Sequence, residues 1–154
     1  MKLRYLIIIL SVALISLVTI KSCNSNNDRV SIASHSQVAV QDCLFCKIVA
    51  GIEQSKIIAQ NDDVIVFESI RPAYPSHWLI IPKKHMTDLK SASSADIEIL
   101  GKLLKATGDL GNQLQEPKAF NIQINEGASA GQTVFHLHLH FYSQSKLATN
   151  SPQI

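Results

Sequence analysis

The sequence has few charged residues and no cluster of basic ones. Only 17% of its 154 residues are Asp, Glu, Lys or Arg, against 46% that are hydrophobic, which is typical of a globular protein rather than a disordered one. The formal net charge is +2, and the positive excess lies within the first thirty residues. A nucleic-acid groove needs clustered Lys and Arg. We therefore expect no nucleic-acid partner.

The sequence also lacks an internal repeat, and it has one long apolar run, at the N-terminus. Residues 5–20 contain no charge, proline or glycine, and they follow Lys2 and Arg4. In a helix they would span roughly 24 Å, slightly short of a ~30 Å hydrocarbon core. A basic start before an apolar stretch is typical of an export signal or signal anchor. Residues 1–22 are predicted to be a signal peptide or membrane anchor, which makes the protein membrane-associated and extracytoplasmic.

The end of this segment allows two interpretations. No small-x-small cleavage site precedes the polar stretch, but residues 19–23 (TIKSC) resemble a bacterial lipoprotein box, in which the cysteine is lipidated. Lys21 fits that box badly, so an uncleaved anchor is the alternative. We predict lipidation at Cys23, because a cysteine between the apolar run and the polar stretch otherwise has no function there. Residues 23–41, rich in Ser and Asn, are predicted to be a flexible tether.

Residues 42–145 are predicted to form one folded domain, with residues 146–154 as a tail. Hydrophobic periodicity and turn residues predict a short helix over 44–50, a long helix from Ser93 or Ser94 to Leu114, and strands over 55–60, 64–68, 78–81, 119–125 and 133–142. Strand pairs interrupted by one long helix predict an α+β domain, an antiparallel five-stranded sheet with both helices on one side. Three glycines weaken the long helix or mark close packing: Gly101, Gly108 and Gly111.

Three of the six histidines alternate on the last predicted strand. His136, His138 and His140 would share one face, and the apolar residues between them would pack beneath. One metal ion cannot bind all three, because a strand places the outer two about 13 Å apart while Zn–N bonds are about 2 Å long. Two of them, or one with ligands from elsewhere, could still bind a metal. A row of imidazoles also suits phosphate chemistry, with a neutral ring as nucleophile and a protonated neighbour stabilising charge. The alternative is that they are three surface histidines on an exposed strand, without a chemical role.

This pattern resembles the signature of the histidine triad (HIT) family, His-apolar-His-apolar-His-apolar-apolar. Three further segments are similar to its Hint branch, the histidine triad nucleotide-binding proteins: 42–48 (DCLFCKI), 78–85 (WLIIPKKH) and 125–136 (NEGASAGQTVFH). The resemblance covers about residues 42–142, and its motifs occur in the family's order. It implies a HIT-like fold.

The resemblance also implies a nucleotidyl hydrolase or transferase with a nucleotide as its partner. His138 would attack the α-phosphorus of a nucleoside phosphoramidate or related phosphoanhydride, forming a nucleotidyl-histidine that water hydrolyses. His140 and Asn125 would contact the phosphate, while Thr133 would assist the leaving group. His77 would support this network from behind the nucleophile. Phosphoryl transfer depends mainly on positioning and charge stabilisation, which such polar groups provide.

Two features depart from the family pattern. Where the family usually has an aspartate that holds the ribose hydroxyls, residues 67–70 (FESI) place Ser69, which cannot accept two charge-assisted bonds. Phe67 and Ile70 would still line the base pocket. The tail lacks the Gly- and Trp-containing segment that in many Hint proteins shapes the site across a dimer, although family members are commonly homodimers and a homodimer is expected here. The alternative function is a non-catalytic membrane-tethered module that binds zinc or a nucleotide.

Cys43 and Cys46 have the spacing Cys-x-x-Cys, which by itself fits a metal site, a redox pair or chance. In an oxidising compartment a local disulfide competes with metal binding. Related HIT proteins with this pair bind structural zinc. The resemblance therefore implies zinc held by a closed tetrahedral set of Cys43, Cys46, His85 and His136, with a disulfide or free thiols as the alternatives.

Overall fold

The computed structural model describes residues 42–154. The predictions for the signal peptide or anchor, for lipidated Cys23 and for the tether therefore lie outside the described residues. Between residues 42 and 154, no helix combines the length and the apolar character needed to cross a bilayer.

A five-stranded sheet forms the centre of the domain. Its strands are β1 (Ile57–Gln60), β2 (Val64–Glu68), β3 (Ser76–Pro82), β4 (Asn121–Ile124) and β5 (Leu139–Ser143). They lie in the order β1-β2-β3-β5-β4, and each neighbouring pair is antiparallel. The predicted α+β class with an antiparallel five-stranded sheet is confirmed.

The two helices, α1 (Leu44–Val49) and α2 (Ile97–Asn112), cover opposite faces of this sheet. Leu103 and Leu110 of α2 pack in the larger core with Val66, whereas Phe45 of α1 packs in the smaller core with Phe67. Successive side chains of a strand point to opposite faces, so the neighbours Val66 and Phe67 belong to different cores. The prediction that both helices lie on one side is wrong. Strands β2 and β3 are buried along almost their whole length, so both faces need a cover.

A capping box precedes α2. The backbone N–H and the hydroxyl of Ser93 donate to Oδ2 of Asp96 at 2.9 and 2.7 Å, and a 3₁₀ turn (Ser94–Asp96) leads into the helix. The hydrogen bond from Lys84 to Asp96 holds the pKa of that carboxyl well below its usual range. The predicted helix start at Ser93 or Ser94 thus falls on its cap.

The three glycines of α2 differ in their surroundings. A Cβ at Gly111 would lie 2.8 Å from Cδ1 of Phe120, whose ring stacks on Phe141 with centroids 4.7 Å apart. At Gly101 and Gly108 a Cβ would meet nothing within 4 Å. Close packing therefore explains Gly111 alone, while the other two lower helix propensity without a packing reason.

Strand β5 begins at Leu139, so the prediction that all three histidines lie on one strand is wrong. The backbone before it bonds outside the sheet, since the N–H of Leu137 donates to the carbonyl oxygen of Met86 at 2.5 Å. His136 and His138 therefore lie on the loop that enters the strand, and His140 lies on the strand itself. The apolar residues of the alternating pattern nevertheless pack in the larger core, as predicted: Leu137, Leu139 and Phe141.

The C-terminal residues fold back beside the end of α2. The side-chain amide of Gln113 donates to the carbonyl oxygen of Gln153 at 2.6 Å and its oxygen accepts from the N–H of Gln153 at 2.9 Å. Leu114 and Leu147 form an isolated antiparallel bridge, and Ile154 packs against the larger core.

Candidate active site

His138 is buried at the entrance to β5, with 5% of its surface exposed. Its Nδ1 atom lies 2.7 Å from the backbone carbonyl oxygen of His136. A carbonyl oxygen only accepts hydrogen bonds, so the proton of the neutral ring is on Nδ1 and a lone pair is free on Nε2. Burial lowers the pKa of His138 and so favours this neutral form. A neutral imidazole with a free Nε2 is what nucleophilic attack on phosphorus requires.

His77 and His140 form a second hydrogen-bonded pair. The N–H of Ala73 donates to Nδ1 of His77 at 3.2 Å, so the ring proton of His77 is on Nε2. This Nε2–H donates to Nδ1 of His140 at 3.1 Å. In neutral His140 the proton is therefore on Nε2, which leaves an N–H donor on a ring whose centroid is 5.0 Å from that of His138.

Burial lowers the pKa of His140 to about 4, and repulsion from His138 and His77 adds to the effect. Burial also lowers the pKa of His77. All three rings are therefore neutral at neutral pH before a substrate binds. A phosphate oxygen placed against His140 would favour its charged form and would receive a stronger hydrogen bond from it.

A cavity of about 580 Å³ opens in front of His138 and His140. This volume is within the usual range for a small-molecule site. The predicted site residues that line it are Phe67, Ser69, Ile70, Asn125, Thr133, His138 and His140. His77 is in contact with His140 from behind and is not among the residues lining the cavity. The structure thus brings together every residue to which the sequence assigned a catalytic or nucleotide-binding role.

Ser69 lies in a turn at the cavity wall. Its Oγ accepts a hydrogen bond from the N–H of Arg71 at 3.3 Å, so part of its acceptor capacity is used within the turn. Its hydroxyl hydrogen can still donate to one ligand hydroxyl. Glu53 and Glu68 also line this cavity, and sequence reasoning did not include them. Lys56 forms an ion pair with Glu68 at 2.8 Å.

Phe45 is the most important residue that sequence reasoning missed. Its ring is edge-on to His138, with centroids 5.3 Å apart, and to His136, with centroids 5.9 Å apart. It is 5% exposed. The only signal in the sequence is its position between two cysteines, because an apolar ring carries no chemistry that a motif would reveal.

The four predicted metal ligands form a compact cluster beside this site. The ligand atoms of Cys43, Cys46, His85 and His136 all lie within 4.8 Å of one another. Sulfur and Nδ1 are 3.2 Å apart for Cys46 and His85, 3.5 Å for Cys43 and His136, and 3.6 Å for Cys46 and His136. Tetrahedral zinc, with Zn–S of ~2.3 Å and Zn–N of ~2.0 Å, would place a sulfur and a nitrogen about 3.5 Å apart.

The donor chemistry of the cluster also fits zinc. Nε2 of His136 donates to the carbonyl oxygen of Pro82 at 2.9 Å, so the lone pair on Nδ1 faces the two sulfurs. Cys43 and Cys46 are both free thiols rather than a disulfide. Burial raises the pKa of Cys46 to about 12, and a hydrogen bond with Cys43 adds to this. A cation is what would hold two such sulfurs together as thiolates.

The sequence matches a known family over most of the described domain. A family profile for the HIT domain matches residues 51–147. The chain belongs to the HIT family. An uncharacterized HIT-like protein from Synechocystis is 38% identical to it over 100 residues, which cover 65% of this chain and 88% of the Synechocystis protein.

Solved HIT structures share the fold. The HIT family hydrolase from Legionella pneumophila is similar with a TM-score of 0.64 and 31% identity, covering 68% of this chain and 95% of that protein. A Zn-bound histidine triad family protein from Mycobacterium smegmatis has a TM-score of 0.58 and 27% identity, covering 73% of this chain and 87% of its own. The HIT-like fold predicted from the sequence is confirmed.

Proposed function

We propose that this HIT family protein is a hydrolase or transferase that cleaves a nucleoside phosphoramidate or related phosphoanhydride through a nucleotidyl-His138 intermediate. Membership of the HIT family supports the hydrolase or transferase role. The observation that carries the finer proposal is the hydrogen bond from Nδ1 of His138 to the carbonyl oxygen of His136 at 2.7 Å. It leaves the lone pair of Nε2 free on a ring that lines a cavity of about 580 Å³.

The chemistry takes two displacements at phosphorus. In the first, Nε2 of His138 bonds to the α-phosphorus while the bond to the leaving nitrogen or oxygen breaks. Its electron pair stays on the leaving atom, which takes a proton from solvent through the hydroxyl of Thr133. In the second, a water oxygen bonds to phosphorus and the P–Nε2 bond breaks, returning its pair to His138. The water proton goes to solvent. The carbonyl oxygen of His136 stabilises the positive ring of the intermediate through Nδ1–H.

Two N–H donors at the cavity would contact the phosphate oxygens. The first is the Nε2–H of His140, whose tautomer follows from its bond with His77. The second is the side-chain amide of Asn125, whose Oδ1 accepts from Nε2 of Gln123 at 2.7 Å, so its NH₂ group is left for a ligand. Thr133 lines the same cavity, and its hydroxyl can pass a proton to the leaving atom. These donors stabilise charge as it develops.

The apolar part of the cavity suits the nucleoside. Phe67 and Phe45 provide buried aromatic walls, while Ile70, 89% exposed, lies at the rim. The ribose would face Ser69 and Glu68, with a neutral hydroxyl in place of the family's usual carboxylate. The change at Ser69 favours a second candidate, a module that binds without turnover.

We further propose that Cys43, Cys46, His85 and His136 hold a structural zinc ion. The zinc-bound relative from Mycobacterium smegmatis and the tetrahedral donor spacing support this. The ion would supply a rigid anchor and no reactive group. With its ring held, His136 would keep its carbonyl oxygen in place against His138.

We further propose that the protein is membrane-associated and extracytoplasmic. Residues 1–22 would be the signal peptide or anchor, Cys23 the lipidated residue and residues 23–41 the tether of an extracytoplasmic domain over 42–145, of the Hint type and homodimeric. The basic start and apolar run support this. The intact mass of membrane-extracted protein tests it. Loss of residues 1–22 with an added lipid is expected, and an unprocessed, unmodified mass would contradict lipidation.

Turnover of adenosine phosphoramidate by the purified full-length chain tests the catalytic proposal. We expect release of AMP and, after an alkaline quench, a peptide carrying adenylyl-His138. His138→Asn should abolish both while keeping its circular dichroism and zinc content. If the zinc-loaded wild-type chain binds the nucleotide without turnover, the catalytic proposal is wrong and the binding module is supported.

A further inference from the structure

A second cavity of about 470 Å³ lies next to the one that contains His138. The two cavities share three lining residues: Leu44, Thr133 and Val134. The other described residues that line the second cavity are Asp42, Cys43, His85, Thr87 and Phe135. The proposed function assigns no part of the substrate to this space.

Thr133 relates the proposed reaction in the first cavity to the second cavity. In an in-line displacement the leaving atom lies opposite the attacking Nε2 of His138, away from the nucleophile. The nucleoside occupies the first cavity, so the leaving group must extend elsewhere. Thr133, which assists the leaving atom in the proposed function, lines both cavities. A leaving group that extends past Thr133 and away from the nucleoside can therefore enter the second cavity.

We propose that the second cavity is the leaving-group subsite and that Asp42 makes it selective for amines with a cationic tail. This inference rests on the proposed function. Leu44, Val134 and Phe135 provide apolar walls for a short alkyl chain, and Thr87 provides a hydroxyl. The carboxylate of Asp42 would pair with an ammonium group at the far end of that chain.

The same lining disfavours an anionic leaving group. Among the described residues that line this cavity, Asp42 is the charged one and there is no Lys or Arg. A phosphate chain would meet this carboxylate and no Lys or Arg among the described lining residues, and the proposed zinc ion, held by two thiolates, would add no net positive charge. Since Asp42 is exposed, the discrimination at this one contact should be modest, about three- to fivefold.

The covalent step is cleavage of the P–N bond by His138. The P–N bond breaks as His138 Nε2 bonds to phosphorus, and its electron pair stays on nitrogen. The nitrogen takes one proton from solvent, through the hydroxyl of Thr133, as the bond breaks, and the neutral amine departs. It takes a second proton in solution to become an ammonium ion. The tail's positive charge remains on the tail throughout, so its pairing with Asp42 affects binding and orientation without entering the chemistry.

Four adenosine phosphoramidates test the subsite with the purified full-length chain. Their leaving amines are ammonia, 3-aminopropylamine with a cationic tail, propylamine as its neutral counterpart, and β-alanine with an anionic tail. For the wild type we expect kcat/KM to be about three- to fivefold higher for the cationic tail than for the neutral one, and lowest for the anionic tail. In Asp42→Asn the ratio of cationic to neutral should fall to about one. Asp62→Asn, an exposed carboxylate outside both cavities, should keep the wild-type ratio.

The outcomes separate the two proposals. Turnover of the ammonia-releasing substrate with equal kcat/KM for all three tails would overturn the subsite and leave the proposed function standing. A cationic preference that persists in Asp42→Asn would also overturn the role of Asp42. If no substrate is turned over, including the ammonia-releasing one, the proposed function fails and the subsite falls with it.

Discussion

The Nδ1 atom of His138 lies 2.7 Å from the carbonyl oxygen of His136, whose own Nδ1 faces the sulfurs of Cys43 and Cys46. One residue therefore faces the candidate metal site with its side chain and orients the candidate nucleophile with its backbone. Anything that releases the ring of His136 should also move the carbonyl that fixes the tautomer of His138. Metal binding and turnover are therefore expected to be coupled.

Cys46→Ser should remove the bound metal and lower kcat by about tenfold or more, with a smaller change in KM. The reason is that the nucleoside cavity remains while the orientation of His138 is lost. Zinc content by elemental mass spectrometry and AMP release give the two measurements. Wild-type protein stripped with a strong chelator should behave in the same way. A metal-free variant with wild-type kcat would show that the coupling is absent.

His140 should stay neutral well into the acid range, because burial and its histidine neighbours lower its pKa to about 4. As the folded value lies below the ordinary 6.5, the unfolded chain binds the proton first when pH falls. This group's contribution to stability is therefore complete above pH 6.5 and is lost as pH falls toward 4. Nitrogen NMR between pH 7.5 and 5 should show one unchanged neutral tautomer with its proton on Nε2. A titration midpoint near 6.5 would contradict the buried pair with His77.

Ser69→Asp should lower KM for a nucleoside phosphoramidate by about tenfold, because a carboxylate accepts charge-assisted bonds from ribose hydroxyls. The contact is made equally before and during the reaction, so kcat should change little. Ser69→Asn is the matched control, similar in size and without the charge. An equal gain from Ser69→Asn would show that charge is not what the site lacks. A higher KM for Ser69→Asp would indicate repulsion from the neighbouring Glu68 instead.

Gly111→Ala should destabilise the domain by about 1–3 kcal/mol, because the new methyl group would overlap the ring of Phe120. Gly108→Ala is the matched control on the same helix and should stabilise it by up to about 1 kcal/mol, since open space surrounds it and alanine favours helix. Urea unfolding measures both. Equal effects of the two substitutions would mean that Phe120 moves aside without cost.

Local sequence patterns correctly predicted the bounds of β2 and the end of the short helix. The strand β2 has the predicted bounds, Val64–Glu68, since an apolar run follows a turn of Asn and Asp residues. The side chain of Asn61 makes that turn by accepting from the N–H groups of Asp63 and Val64. The short helix also ends as predicted, with Gly51 at a positive φ of 71°.

The errors concern contacts between distant parts of the chain. Alternation over 133–142 satisfies a strand pattern, but the partner of Leu137 is the carbonyl of Met86, which no local rule identifies. The side of the sheet that α1 covers likewise depends on where Phe45 packs. The predicted site residues lie around one cavity because motif resemblance carries spatial information that periodicity lacks. Phe45 and Asp42 lie within the segment 42–48 that carries the family resemblance, but an apolar ring and a single carboxylate do not by themselves indicate a role.

Because β5 begins only at Leu139, the three histidines do not lie in one row and can face different sites. On a continuous strand the three rings would be about 6.6 Å apart along one line, and the first could not turn aside to meet two cysteines. By leaving the sheet before Leu139, the chain frees His136 for the sulfurs while His138 and His140 stay at the cavity. The spacing between these histidines is therefore under tighter constraint than the apolar residues that separate them. An insertion of one residue between His136 and His138 would separate the candidate metal ligand from the candidate nucleophile even if every side chain were kept.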